Sequence, residues 1–339
     1  PQLDLDISLG RGQIDSLVFD HLELHGSFSS GVGYRLDRLT FLTNGDSLSA
    51  TGSWDFPESP VRIIRAGFDK EKAFGYPLNL NAEFVRYPLA DIFRGMHLKI
   101  LPSGVFSGTF GMGKTASNPE LKLYGTVSGA EKGGLHLPDI DCRLDYGDSV
   151  LSINGVEFDD GVTRGNLQGD LPVTINMFNG LSFMDDRRTH LNCEIFSKNI
   201  SSLQPYFDQI GEASGELDVA ISLDGSFNNP SFGGNITLRK STVRLSGMEV
   251  LYKDIAATIE LNQNQIKLTT LTGKDENKGR LSGSGFVRLA GFKPDWYNLE
   301  LQFEELSLSP SQDINSKVDG TVKIVSASPA PDRLIPSLT

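Results

Sequence analysis

The chain has 339 residues, with 31 Lys and Arg against 43 Asp and Glu, for a formal net charge of −12. That balance disfavours nucleic acid and anionic membrane surfaces as partners held by simple electrostatic attraction. No run of about 18 apolar residues occurs, so no helix of bilayer length is expected, and 36 Gly among Phe-rich, β-branched runs point to many short strands joined by turns.

In chain order, the first turn signal is Asn44-Gly45-Asp46, followed by Leu48-Ser49 and Gly52-Ser53-Trp54. Pro88 to Gly95 then places apolar residues at helical spacing and ends in Gly, which predicts a short helix. Further turns are expected at Tyr146-Gly147-Asp148 and Asp159-Asp160-Gly161. A second short helix is predicted from Ser202, as N-cap, to Gly211, as C-terminal stop. Beyond it, Leu217, Val219, Ile221 and Leu223 alternate with Glu216, Asp218, Ser222 and Asp224. After the turn at Asn228-Asn229-Pro230 the alternation continues through Ile236 and Leu238, then Val243 and Leu245. It resumes in Ile259 and Leu261, Ile266 and Leu268, with a turn at Asn262-Gln263-Asn264, and ends in Leu299, Leu301 and Phe303. Each run reads as a half-buried antiparallel strand, apolar on one face and polar on the other. Residues 326–339, with Pro329, Pro331 and Pro336, lose the pattern and read as a linker or frayed end.

The strands repeat. Ser103-Gly104 recurs as Ser214-Gly215 and Asn118-Pro119 as Asn229-Pro230, both 111 residues on. Leu80-Asn81 and Glu83 match Leu191-Asn192 and Glu194 at the same offset, and Gly165-Asn166-Leu167-Gln168-Gly169 matches Gly279-Arg280-Leu281-Ser282-Gly283. A fixed period implies stacked units that share one core. The expected fold class is therefore all-β with few short helices: an elongated, repetitive antiparallel sheet. The expected organisation is one β-repeat module over 1–325, in units of about 1–79, 80–190 and 191–298 with a partial unit 299–325. An opening at Pro1 rather than Met reads as a piece of a longer protein whose anchor lies outside it.

Chemistry-bearing motifs are sparse. Gly108 to Thr115 fits the phosphate-loop pattern GxxxxGK[ST], ending in Gly113-Lys114-Thr115, but Asn118-Pro119 follows where a helix is needed. It reads as a chance match in a hairpin loop. His21 and His25 share a strand face without a third ligand, and His97, His136 and His190 are scattered. Cys142, alternating with Ile140 and Leu144, reads as a buried apolar residue, and nothing in the sequence brings Cys193 to it. No catalytic set, metal site or cofactor is expected.

The functional weight falls on the apolar strand face: Leu217, Val219, Ile221, Leu223, Ile236, Leu238, Ile259, Leu261, Leu268, Leu299, Leu301 and Phe303. It reads either as an ordinary sandwich or solenoid core, or as a groove for acyl chains.

The run Ser214-Gly215-Glu216-Leu217, then Asp224-Gly225-Ser226, Asn229-Pro230 and Gly233 to Leu238, resembles the repeat of TamB-type proteins, of the translocation and assembly module, within the AsmA-like group of Gram-negative envelope proteins. Ile255 to Leu261, Ile266 to Leu271 and Gly279 to Gly285 are similar to the closing strands of that unit. The resemblance covers roughly residues 1–325. It implies a U-shaped sheet, a β-taco, with an apolar inner trough. It further implies an inner-membrane anchor outside this segment, a periplasmic location and phospholipid transfer to the outer membrane. A second implied role is outer-membrane protein assembly with a TamA-type barrel. The resemblance carries no catalytic residue.

Overall fold

The computed structural model describes residues 2–14, 17–60, 62, 69–95, 103–132, 135–176, 180–201, 209–307 and 316–326. The fold class is all-β, as the alternation predicts: nineteen strands belong to one antiparallel sheet, and two short hairpins stand apart from it. The chain divides into two compact units, one of Pro1–Phe158 with Gln168–Met184, the other of Asp159–Leu167 with Asp185–Thr339.

The first unit opens with β1 (Gln2–Leu9), the hairpin β2 (Gly12–Ile14) and β3 (Leu17–Phe19), then β4 (His21–Ser29), β5 (Gly33–Thr43) and β6 (Asp46–Trp54). A short helix α1 (Lys70–Ala73), β7 (Leu78–Pro88) and helix α2 (Leu89–Gly95) follow. Next come β8 (Val105–Thr115), β9 (Asn118–Ser128), the hairpin β10 (Glu131–Lys132) and β11 (Leu135–His136), β12 (Ile140–Gly147) and β13 (Val150–Asp159). β14 (Thr163–Asn176), which belongs to this unit from Gln168 onward, and β15 (Gly180–Phe183) complete it. Each main strand pairs with its neighbour in sequence, skipping the hairpins: β1 with β4, then β4 to β9 in turn, then β9 with β12 and β12 with β13.

Two aromatic groups close the ends of these strands. At one end Phe19 of the hairpin packs on Phe41, and Phe41 on Tyr87, with ring centroids 5.6 and 6.3 Å apart. Leu89 and Ile92 of α2 join Phe84, Phe106 and Cys142 beside them. At the other end Phe56 stacks on Tyr34 and Trp54 and meets Tyr76 edge-on, and the Trp54 indole donates to the Ala73 carbonyl at 3.1 Å, so α1 is tied to the sheet.

The second unit is a meander of β16 (Thr189–Ser197), β17 (Ile210–Ser226), β18 (Asn229–Leu245), β19 (Leu251–Gln263), β20 (Gln265–Lys274), β21 (Arg280–Ala290), β22 (Lys293–Ser307) and β23 (Lys317–Val325). The repeat is visible in its turns. Asn118 and Asn229 are the first residues of β9 and β18, and each backbone N–H donates to a hydroxyl three residues back, Thr115 at 3.1 Å and Ser226 at 3.2 Å. Pro119 and Pro230 follow, both buried.

A second recurring device ties turns to strand ends. Before β14, Asp160 accepts the amides of Val162 and Thr163, and the Thr163 hydroxyl meets that of Ser197 at the end of β16 at 2.7 Å. Before β21, buried Asp275 accepts the amides of Asn277 at 2.8 Å, Gly279 at 2.7 Å and Ser307, at the end of β22, at 2.6 Å. In both cases the turn leading into one strand is fastened to the last residue of a later one.

Register shifts crease the sheet where β17, β18 and β19 lie side by side. Gly215, Lys240 and Asp254 there have φ of 125°, 46° and 51°. Such bulges bend a strand and raise its twist. Gly234 has φ 110°, and a Cβ on it would collide with the Ala220 carbonyl oxygen on β17. Gly234→Ala is therefore expected to destabilise the chain by about 2 kcal/mol or more, read as a lower urea midpoint. A midpoint equal to the parent's would mean that β17 and β18 do not approach this closely.

The structure changes three expectations. The Gly108–Thr115 motif lies in β8, not in a hairpin loop. Helix α2 begins at Leu89, because Pro88 still pairs with Val105 as the last residue of β7. Gly211 sits inside β17 rather than ending a helix, and Ser202 to Asp208 of that predicted helix lie outside the described residues, as do 327–339 of the predicted linker.

Candidate functional site

The register of the second unit aligns its apolar residues in rows across eight strands. One row runs Ile195, Val219, Ile236, Ile259, Leu268, Gly285, Leu299 and Ile324, each directly opposite the next. A parallel row runs Leu217, Leu238, Ala257, Leu271, Gly283, Leu301 and Val322. Directly opposed residues share a face, so these rows form one surface. Ile221 and Leu261 both stand opposite Gly234, Leu223 stands opposite Phe232, and Phe303 is paired with Leu281. All twelve sequence-predicted groove residues thus fall on the same face.

The degree of burial separates a groove from a packed core. Of the twelve, only Val219 is buried, at 8% exposure, and the other eleven are half-buried. A residue inside a closed sandwich touches neighbours on every side and loses nearly all its water. Side chains on a curled sheet with an uncovered face keep part of theirs.

The opposite face carries charge pairs that bridge neighbouring strands: Arg239 to Asp218 at 3.2 Å, Lys274 to Asp254 at 2.9 Å and Lys323 to Glu300 at 3.1 Å. Such exposed pairs add little stability. They keep that face wet and fix which side of the sheet turns to solvent.

The first unit has an equivalent apolar face that the alternation of 217–303 does not reveal. Ile7, Leu24, Leu39, Ala50, Ala82, Phe110, Leu123, Leu144 and Ile153 form one row over nine strands. Apart from Ala50, these residues are half-buried. Its polar face holds a shallow cleft of about 630 Å³ lined by Thr40, Ser49, Glu83, Thr109, Lys122 and Tyr124 among others.

The remaining candidates are engaged locally. Lys114, at φ 63° near the end of β8, meets Glu120 at 2.6 Å and Asp148 at 3.2 Å, and these carboxylates raise its pKa. It is therefore an ion-paired strand residue, not the free loop lysine that the motif suggests. No helix follows to present amides to a phosphate, because Asn118 opens β9. Lys114→Ala is expected to leave the melting temperature almost unchanged and to reveal no nucleotide binding by calorimetry. Saturable ATP binding lost in that variant would restore the phosphate-loop reading.

His25 lies against Asp6 and Glu23, at 2.5 and 3.3 Å, and its hydrogen bonds to both raise its pKa. His190 meets Asp224 at 2.6 Å. His97 lies outside the described residues. Among the described residues no three His, Cys, Asp or Glu side chains gather as metal ligands. Both thiols are free. Cys142 is buried against the Gly125 carbonyl at 3.3 Å, and burial raises the pKa of both cysteines.

Comparison with known proteins adds one distant likeness. No family model matches the chain, and no solved structure matches it. The chain is 22% identical over 134 residues to the protein SUBSTANDARD STARCH GRAIN 4, chloroplastic, of Oryza sativa subsp. japonica. The match spans 39% of this chain and 6% of the length of that relative.

Proposed function

We propose that the chain is a segment of a lipid-transfer bridge, in which the apolar face of each unit receives phospholipid acyl chains. The observation that carries this reading is a registered aliphatic face, eight strands wide, of which only Val219 among the twelve predicted residues is buried. A contiguous apolar face that keeps part of its water supports a role as a binding surface. The driving force is large: each CH₂ left in water costs roughly 0.8 kcal/mol, so about fifteen of them cost on the order of 12 kcal/mol. A continuous row of Leu, Ile and Val lets an acyl chain move along the strands' cross direction without meeting a charge.

On this reading the chain is not an enzyme and uses no cofactor. It works in the periplasm of a Gram-negative-type envelope, within a longer protein anchored in the inner membrane, and has no nucleic-acid partner. The resemblance to TamB-type repeats supports that location and a movement of phospholipid between the two membranes. A second reading makes the chain an assembly factor beside a TamA-type barrel. The exposed, alternating strand β1, in register with β4, favours that reading, since strand addition recognises backbone together with alternate side chains. A plain structural or adhesive β-repeat remains the alternative in which the faces close on themselves.

Native mass spectrometry of the purified chain tests the proposal. Phospholipid adducts that survive gentle desolvation are expected. A spectrum of lipid-free chain, from material prepared in the presence of membranes, would return the faces to an ordinary core.

A further inference from the structure

The polar cleft of the first unit is built on two neighbouring rows of side chains across β5 to β9. One row runs Thr40, Ser49, Glu83, Thr109 and Tyr124, each directly opposite the next. Beside it run Thr51, Asn81, Gly111 and Lys122. A further hollow of about 450 Å³ shares Thr51 and Asn81 with the cleft, so the depression continues along the face toward Ser53 and Asn79.

Gly111 forms part of the floor. Glycine weakens a strand interior, and it stands there for a bulge, for a close approach of backbone, or for a ligand that comes near. Close backbone accounts for Gly108 and Gly125, where a Cβ would collide with the carbonyl oxygens of Tyr124 and Ser107. It does not account for Gly111, on which a Cβ would meet only Asn81 Oδ1 at 3.6 Å and Lys122 Cβ at 3.8 Å, both ordinary contacts. Nor is there a bulge: Gly111 pairs with Asn81 and Lys122 with no register shift beside it, and its φ is not left-handed. The third reason remains.

The side chains around this floor are uncommitted. Nearby charges on the same face are paired across strands, Lys114 with Glu120 at 2.6 Å and Arg143 with Glu157 at 2.9 Å. Among the described residues, the side chains of Arg38, Glu83 and Lys122, which line the cleft, make no ion pair or hydrogen bond. The Tyr124 hydroxyl donates to Asp145, which also accepts from Asn154, so the ring is held in place while the residue stays 38% exposed.

We propose that this cleft binds an uncharged oligosaccharide. A sugar hydroxyl both donates and accepts. Lys122 and Asn81 supply donors, Glu83 supplies an acceptor, and the threonine and serine hydroxyls between them do either. The C–H face of a pyranose ring calls for a flat apolar partner, which the fixed Tyr124 ring provides at one end of the row. Charges of both signs line the cleft, and Glu83 in its middle repels a phosphate or carboxylate. Two joined hollows suit a chain of sugars better than a single one. The inference stands independently of what the apolar faces carry.

Calorimetric titration of the full chain tests it, using neutral hexasaccharides of glucose, mannose, galactose and N-acetylglucosamine, with inorganic phosphate as the anionic control. Saturable binding of at least one hexasaccharide is expected, without competition from phosphate. Gly111→Val fills the floor with a residue that favours strands. It is expected to melt no lower than the parent and to lose the binding. Tyr124→Ala is expected to weaken binding about tenfold or more, and Tyr124→Phe, which keeps the ring, far less. A parent that binds none of the four sugars overturns the proposal. So does a Gly111→Val chain that binds as tightly as the parent or melts well below it, a Tyr124→Ala chain with full affinity, or phosphate that displaces the sugar.

Discussion

Leu261→Asp is expected to abolish lipid contact while leaving the melting transition largely in place, whereas Val219→Asp is expected to unfold the second unit. The two residues lie on the same face, in adjacent rows, and differ in how much water they see. Leu261 is half-buried, opposite Gly234 on one side and Ile266 on the other, so a carboxylate there can stay hydrated. It interrupts the apolar path, and a hydrated charge repels an acyl chain. Val219 is 8% exposed between Ile195 and Ile236, and an unpaired charge in that position costs several kcal/mol. The measurement is paired: thermal unfolding of each variant, and photo-crosslinking of phospholipid to a probe replacing Ile221. Crosslinking in the parent, lost in folded Leu261→Asp, supports a conduit. If Leu261→Asp unfolds as readily as Val219→Asp, or the parent yields no crosslink, the face is a packed core.

Asp275→Asn is expected to be the most destabilising change of a polar residue in the second unit. The carboxylate is 5% exposed and collects three backbone N–H groups, one of them from Ser307 across the sheet. An amide in its place turns N–H toward N–H and leaves buried donors unmatched, at a cost of about 3 kcal/mol or more. Burial alone would raise the pKa of this group. The hydrogen bonds from Ser307, Gly279 and Asn277 outweigh burial, so the net shift is downward. A group whose folded pKa is depressed stabilises the protein fully above the ordinary carboxylate range near 4, and that contribution fades as pH falls through the folded value. Melting temperatures measured down the acid limb should therefore fall more steeply in the parent than in the variant, and the gap between them should narrow. A constant gap from neutral to strongly acidic pH would show that Asp275 is not held ionised by these contacts.

Much of this architecture is written in local pattern. Alternation over 217–303 suffices to place twelve residues on one face, because a strand's period of two admits no other arrangement once its neighbours are in register. The dipeptide Asn-Pro, twice at a spacing of 111, marks two turns that are closed by the same hydrogen bond. The first unit's face is harder to read. Gly26, Ala50, Gly52, Ala82, Gly108 and Gly125 stand at inward positions and break the apolar run, although Leu24, Leu39, Phe110 and Leu123 lie between them in space. The Asp275 site is not legible at all, since Ser307 is thirty-two residues away and an aspartate before Asn and Gly looks like any turn. The phosphate-loop motif misleads for the converse reason: its spacing survives inside a strand, where glycine and lysine answer to cross-strand neighbours instead of a ligand.

The turn-to-strand fastenings have a consequence for how the molecule comes apart. In a stack whose members touch only their neighbours, melting can begin at either end and travel inward one strand at a time. Ser197 and Ser307 each anchor a turn that belongs to an earlier strand, so peeling β16 or β22 also frees the turn entering β14 or β21. Loss then advances in blocks of several strands, and the block is the natural unit of cooperativity. Amide hydrogens of Gly279 and Ser307 should exchange together, at the rate of the block.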